Sequence, residues 1–231
     1  MSGFFVTGTD TEVGKTVGTC ALLQALAAEG LQVAGMKPLA SGCTVNAQGK
    51  LENDDVLAHR RASNVLVARE LANPYAFVPP ISPHLAAQEA GVGIDLSLIE
   101  SRYAALAAQC DVVLVEGAGG WLAPIDDRRS MADLAAALGL PVILVVGMRL
   151  GCLNHAMLTV EAIKARGLQL AGWVANCVDP AMLRPAENLD YLRKRITAPL
   201  LGVIPHFSSG EKVQSNQVQI LEFDAKALLH K

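Results

Sequence analysis

The segment Gly8-Thr9-Asp10-Thr11-Glu12-Val13-Gly14-Lys15-Thr16 follows the apolar run Phe4-Phe5-Val6 and opens into Val17-Gly18-Thr19-Cys20-Ala21-Leu22-Leu23. A strand, a glycine-bounded loop and a helix start in that order constrain the fold more than any other stretch of the chain. Amides left unpaired in the first helical turn converge on an anion, Lys15 adds a mobile positive charge, and the Thr16 hydroxyl suits Mg²⁺. The segment reads as a cradle for the phosphates of ATP or GTP. Its spacing departs from the usual motif: five residues rather than four separate Gly8 from Gly14, and Thr9 stands where the first glycine is expected. Gly14-Lys15-Thr16 still falls at a helix start directly after a strand, as the mechanism requires. The plain alternative is an ordinary strand-to-helix turn with a helix-initiating threonine.

Short apolar runs bounded by turn residues recur at Phe4 to Thr7, Gln32 to Met36, Asp111 to Val115, Pro141 to Val146, Leu170 to Ala175 and Leu200 to Ile204. Between most of them lie alanine- and leucine-rich stretches with helical spacing of apolar positions: Thr16 to Ala28, Ser97 to Gln109, Ser130 to Leu138 and Asn154 to Ala165. Gly30, Gly139 and Gly167 fit as helix stops. Alternation of this kind predicts an α/β chain, a mostly parallel sheet with helices on both faces, in one P-loop NTPase-like domain over residues 1–231. The stretch from Ser41 to Pro83 is the least regular and reads as an ordered excursion within that domain.

A formal charge of −3 with no basic patch carrying interleaved aromatics argues against nucleic acid as a partner. Cys20, Cys43, Cys110, Cys152 and Cys177 are scattered without a C-x-x-C pair, which argues against a zinc site or a disulfide scaffold. The apolar runs are too short to span a bilayer and no charged leader precedes the first strand, so the expectation is a soluble cytoplasmic protein without a membrane partner.

In parallel sheets ligands collect beyond the carboxyl ends of the strands. Here that rim reads Gly8 to Thr16, Lys37, Glu116 to Gly120, Gly147 to Gly151, Asn176, and Pro205, His206 and Phe207. Glu116 ends a buried strand, where a carboxylate serves a metal or its water, or else caps the following Gly117-Ala118-Gly119-Gly120 turn. Asp54 and Asp55 start a helical pattern as ordinary N-caps, or one of them completes a hard-oxygen site with Thr16 and Glu116. Lys37 is either solvated or placed to neutralise a transferring phosphoryl group, and Ser41 and Gly42 just behind it offer donors to a substrate. Leu150 to His155 reads as a loop entering a helix, with amides free for a carboxylate or phosphate, or with Asn154 as a simple N-cap. The five histidines show no metal-ligand spacing and read as structural or exposed, and Trp121 and Trp173 as packing residues.

Gly8 to Thr16, Met36-Lys37-Pro38, Val115-Glu116-Gly117-Ala118-Gly119-Gly120 and Gly172-Trp173-Val174-Ala175-Asn176, in this order and spacing, closely resemble the dethiobiotin synthetase family. The likeness runs from the first strand to about Phe207, and the tail from Ser208 onward resembles nothing distinctive. It implies an ATP- and Mg²⁺-dependent enzyme in which 7,8-diaminopelargonate takes up CO₂ as a carbamate, is phosphorylated, and closes to a cyclic urea. By the same resemblance Glu12, Val13, Gly14, Lys15, Thr16 and Val17 wrap the triphosphate, and Thr16, Asp55 and Glu116 hold Mg²⁺, with Asp55 rather than Asp54 fitting the family register. Lys15 and Lys37 stabilise the carbamate and the transferring phosphoryl group. Thr11 and Ser41 touch the diamine, Gly117, Ala118 and Gly119 line the site, Asn176 reads the adenine edge, and Pro205, His206 and Phe207 border the base. Gly151, Cys152 and Asn154 match the family's pocket for the substrate carboxylate, supplied across a homodimer interface. Cys177 and His206 depart from the family, which often has an acidic residue and an aromatic there, so they bear on base preference. The competing class on this type of sheet is the dimeric switch ATPase acting on DNA, membranes or proteins, whose loop usually carries an additional early lysine; none stands between Met1 and Gly14.

Overall fold

Each of the six apolar runs becomes a strand of one sheet whose described pairings are all parallel. The computed structural model describes residues 3–207 and 223–229; residues 208–222, which include most of the tail after Phe207, and His230 lie outside the described residues. The strands β1 (Gly3–Gly8), β2 (Val33–Met36), β7 (Val112–Gly120), β8 (Val142–Gly147), β9 (Leu170–Asn176) and β10 (Leu200–Ile204) stand in the order β10-β9-β8-β1-β7-β2. β1 is central, so the loop leaving it opens where the chain's crossovers diverge to the two sides of the sheet.

Strand side chains alternate between faces, and both faces are covered, which is why the runs are apolar without interruption. Phe5, Val113 and Val115 pack on the side of α4 (Pro83–Glu89), α5 (Leu96–Ala107) and α6 (Met131–Leu138). Leu144, Val146, Trp173 and Ala175 continue that layer under α7 (Cys152–Ala165) and α8 (Pro185–Arg195). Phe4, Val6, Val112, Leu114 and Val145 face the other way, against Leu22, Leu23 and Leu26 of α1 (Lys15–Ala28) and against Ala225 and Leu228, the latter in α9 (Lys226–Leu229). Trp121 and Trp173 are both buried, and the Trp121 ring meets Phe5 edge-on at 6.4 Å.

The excursion after β2 is ordered. β3 (Leu39–Ala40) pairs in parallel with β6 (Tyr75–Ala76), β4 (Thr44–Val45) pairs antiparallel with β5 (Leu51–Glu52), and α2 (Asp54–Ala62) and α3 (Arg69–Ala72) fill the interval. Asn53, not Asp54 or Asp55, caps α2: its Oδ1 accepts from the amides of Asp55 and Val56. The carboxylates of the first turn are thereby released from capping. The excursion also fixes the backbone of Lys37, whose N–H donates to Ala72 O at 2.8 Å and whose carbonyl accepts from buried Asn73 Nδ2 at 2.7 Å.

Two further elements differ from the sequence reading. β7 runs on through Gly120 because Gly8 pairs with Gly120 after a register shift, so four residues that look like a turn extend the strand. α8 has Leu192 as its buried residue, too sparse an apolar pattern to signal a helix.

Candidate active site

The phosphate loop is held by its own backbone and by two neighbouring strands. Its first intrahelical bond runs from Gly18 N–H to Gly14 O at 3.0 Å, so the amides of Lys15, Thr16 and Val17 precede it and point out of the helix end. Gly14 sits at φ +79°, and a Cβ there would lie 2.0 Å from Asn176 Nδ2. That approach lets Asn176 Nδ2 donate to Val13 O at 2.9 Å. Thr9 N–H donates to Val145 O at 3.0 Å and its hydroxyl accepts from Gly147 N–H at 3.3 Å. The threonine at the expected glycine position thus ties the longer loop to β8. Asp10 adds a salt bridge to Arg149, just after β8. Glu12, at φ +58°, is exposed at the loop's crest.

Glu116 is the point on which separate segments converge. Its Oε1 accepts from Thr16 Oγ1 at 3.0 Å and Lys37 Nζ at 2.6 Å; its Oε2 meets Thr19 Oγ1 at 3.0 Å and His59 Nε2 at 2.7 Å. Burial alone would push this carboxyl up, but the charges and hydrogen bonds of Lys37 and His59 outweigh it and hold the group well below the usual carboxylate range. For Lys37 burial opposes the charge as well, and the attraction of Glu116 and Asp55 outweighs it, so the ammonium is held charged. Lys15, 7 % exposed, donates to Asp10 O at 3.0 Å, and burial lowers its pKa to about 8.

Above Glu116 opens a cleft of about 690 Å³. Thr11, Glu12, Gly14, Lys15, Thr16, Lys37, Ser41, Asp55, Ala118 and Gly119 all line it. Lys37 Nζ lies 2.8 Å from Asp55 Oδ2 as well as 2.6 Å from Glu116 Oε1, a monovalent cation standing between two carboxylates. Two carboxylates and the Thr16 hydroxyl are hard oxygen donors. Among the described residues no three His, Cys, Asp or Glu side chains form a complete metal cage. That combination fits Mg²⁺, which is commonly held by one or two carboxylates with substrate phosphates and water making up the rest.

A family model for an AAA domain matches residues 2–213. The ATP-dependent dethiobiotin synthetase of Aromatoleum aromaticum is 54 % identical over 211 residues, 91 % of this chain and 93 % of that protein. The same enzyme from Nitrosospira multiformis is 53 % identical over 88 % of each chain. The chain belongs to the ATP-dependent dethiobiotin synthetase family. It is therefore an ATP-dependent enzyme of the ligase type. Solved structures agree on the fold: a ParA family ATPase from Chlorobium tepidum superposes with a TM-score of 0.54 at 14 % identity, covering 95 % of this chain and 90 % of that one. The cell division protein MinD of Aquifex aeolicus does so with 0.53 at 17 % identity, over 94 % and 87 %.

Several residues matched to the dethiobiotin synthetase pattern do not line the cleft. Val13, Glu116 and Gly117 are buried beneath it and Val17 is half-buried in α1. Asn176 stands behind the loop, with exposed Pro205 and His206 and half-buried Phe207 beside it at the end of β10; His206 Nδ1 lies 3.3 Å from Cys177 O. Gly151, Cys152 and Asn154 lie at the start of α7 and do not line the cleft. The helix begins at Cys152 with Gly151, at φ +95°, as its cap, so Asn154 is a helical residue and not the N-cap. Cys152 buries its side chain, and its N–H donates to Arg149 O, which leaves this thiol and amide unavailable to a ligand. His59, read from sequence as structural or exposed, is buried, and its bond to Glu116 went unseen because that partner lies 57 positions away on β7. The helical spacing from Asp55 to His59 was the available signal, since it puts both on one face of α2.

Proposed function

We propose that this chain closes the cyclic urea of dethiobiotin from 7,8-diaminopelargonate, CO₂ and ATP, with Mg²⁺ held by Thr16, Asp55 and Glu116, as a cytoplasmic homodimer. The observation that carries this reading is the convergence of Thr16 of the phosphate loop and Lys37 on the buried Glu116 carboxylate, with Asp55 on the other side of the Lys37 ammonium, just beneath one cleft. Mg²⁺, when bound, screens the phosphate charge and polarises the γ-phosphoryl group.

One amine of the substrate adds to CO₂ and loses a proton, forming a carbamate. A carbamate oxygen attacks the γ-phosphorus, the bond to ADP breaks, and a carbamic–phosphoric anhydride results. The second amine then attacks the carbonyl carbon and the C–O bond to phosphate breaks; with loss of a proton the ring is closed and inorganic phosphate leaves. No protein nucleophile is required, only charge neutralisation and alignment. Lys37 turns from the two carboxylates to the negative charge shared by carbamate and phosphoryl oxygens. Lys15 exchanges its bond to Asp10 O for the phosphates, Thr11 and Ser41 hold the amines, and Asn176 with Pro205 to Phe207 borders the base.

The homodimer reading is supported by where α7 starts. Gly151 and Asn154 are exposed and do not line their own cleft, and Leu150 and Leu158 are 95 % and 61 % exposed nearby. In a dimer this face supplies the substrate's carboxylate pocket to the partner's cleft. Mixing a Lys15→Ala chain with an Asn154→Ala chain then regenerates activity; a mixture proven to exchange subunits that stays inactive contradicts the shared pocket. For the reaction itself, ADP release by the purified protein rises on adding the diamine with bicarbonate. ADP release indifferent to the diamine contradicts the assignment.

A further inference from the structure

Glu116 has two oxygens with different surroundings. Oε1 is bound by Thr16 and Lys37, both of which line the cleft, whereas Oε2 is bound by Thr19 and His59, which do not. The Oε2 partners are a clamp behind the site. Thr19 is a poor fixed member of that clamp, because its one hydroxyl proton also faces Lys15 O at 2.9 Å. A carboxylate beside the Lys37 ammonium at 2.6 Å accepts only, so at 2.7 Å His59 Nε2 is the donor.

The rest of the imidazole gains little from its place. His59 is 1 % exposed, and its Nδ1 has no hydrogen-bond partner among the described residues. An aliphatic side chain would fill the space without orphaning a polar atom, so the bond to Glu116 is what this histidine supplies. The backbone accommodates it closely: a Cβ at Gly35 would lie 2.7 Å from His59 Cβ and 2.9 Å from its Cγ. β2 therefore needs a residue without a side chain for α2 to bring the ring to the adjacent strand β7.

We propose that His59 is a positioning residue, its Nε2–H fixing the Glu116 carboxylate from behind so that Oε1 faces the cleft in the orientation a divalent cation requires. This rests on the metal assignment proposed above. His59 touches neither nucleotide nor diamine and acts through Glu116 alone.

Mn²⁺ serves as the probe, its binding to the full chain with ADP read from the EPR signal of free Mn²⁺. His59→Leu weakens Mn²⁺ binding by about tenfold to a hundredfold, the range for losing a partner of a metal ligand, while ADP affinity measured in EDTA stays unchanged. His59→Gln, whose amide can donate from the same side, restores most of the Mn²⁺ affinity. Gly35→Ala, which removes no polar group but displaces the ring, weakens it in the same direction and keeps the test open should the leucine variant fail to fold. Unchanged Mn²⁺ affinity in folded His59→Leu overturns the proposal, as does a loss of ADP binding in EDTA as large as the loss of Mn²⁺. Absence of saturable Mn²⁺ binding in the unaltered chain overturns the metal assignment first, and this inference with it.

Discussion

On one flank of the phosphate loop, Thr16, Lys37, Asp55 and Glu116 are joined by contacts of 2.6–3.0 Å, partly out of water, with Lys15 lining the same cleft. On the other, Asn176, Cys177, Pro205, His206 and Phe207 offer a side-chain amide and a 3.3 Å contact to a carbonyl, and none of the described ion pairs involves them. In the reaction proposed above the charged flank is where a phosphoryl group changes partners, and low dielectric there magnifies each misplaced charge. In the same proposal the neutral flank has only to accept a flat base, a task with looser geometric demands. Its departures from the family, Cys177 and His206, fall on that tolerant side.

If the contrast is sound, the largest loss comes from Lys37→Ala. Turnover falls on the order of a hundredfold or more, as for other groups that stabilise developing charge. Leaving Glu116 less compensated also costs stability, about 3–5 kcal/mol where a buried pair is fully broken. Single-turnover rates on folded protein, checked by circular dichroism, separate the two effects, and near-normal rates would leave Lys37 only a structural partner of Glu116 and Asp55. Asn176→Ala comes next. Loss of its bond to Val13 O raises the KM for ATP by about fivefold to tenfold, with kcat little changed; a fall in kcat matching that of Lys37→Ala would erase the distinction between the flanks.

Arg149→Ala probes the loop's outer tether. The Asp10–Arg149 pair is 46 % and 40 % exposed, so its loss is worth about 0.2–1 kcal/mol of nucleotide binding, and calorimetry at raised salt should shrink the difference. The smallest effect is expected for His206→Ala, an exposed side chain whose removal changes ATP affinity by less than about 0.5 kcal/mol. Its readout is competition between ATP and GTP, where a shift in preference without loss of turnover sharpens the assignment of this flank to the base.

Much of this was legible in sequence because the physical signals were local. Strands covered on both faces must be apolar throughout, and the loop's Gly14-Lys15-Thr16 announces a helix end open to anions. The path of β7 was not, since Gly117 to Gly120 looks like a turn until Gly8 is seen to pair with Gly120. Asp54 and Asp55 read from sequence either as caps or as part of a hard-oxygen site, and only the geometry shows Asn53 as the cap and the Asp55 carboxylate turned to Lys37. His59 was invisible for a similar reason: one side of its hydrogen bond lies in the excursion and the other on a central strand. The role proposed for the start of α7 stays incomplete in one chain, because its use depends on a second copy.

The central claim is that the charged flank joins a carbon from CO₂ to the diamine at the expense of one ATP. ¹³C NMR of purified protein given ¹³C-bicarbonate, the diamine, ATP and Mg²⁺ tests it directly. A ureido carbonyl signal growing in step with inorganic phosphate, one carbon for each phosphate, is the predicted result. Phosphate released while the label stays in bicarbonate would contradict it.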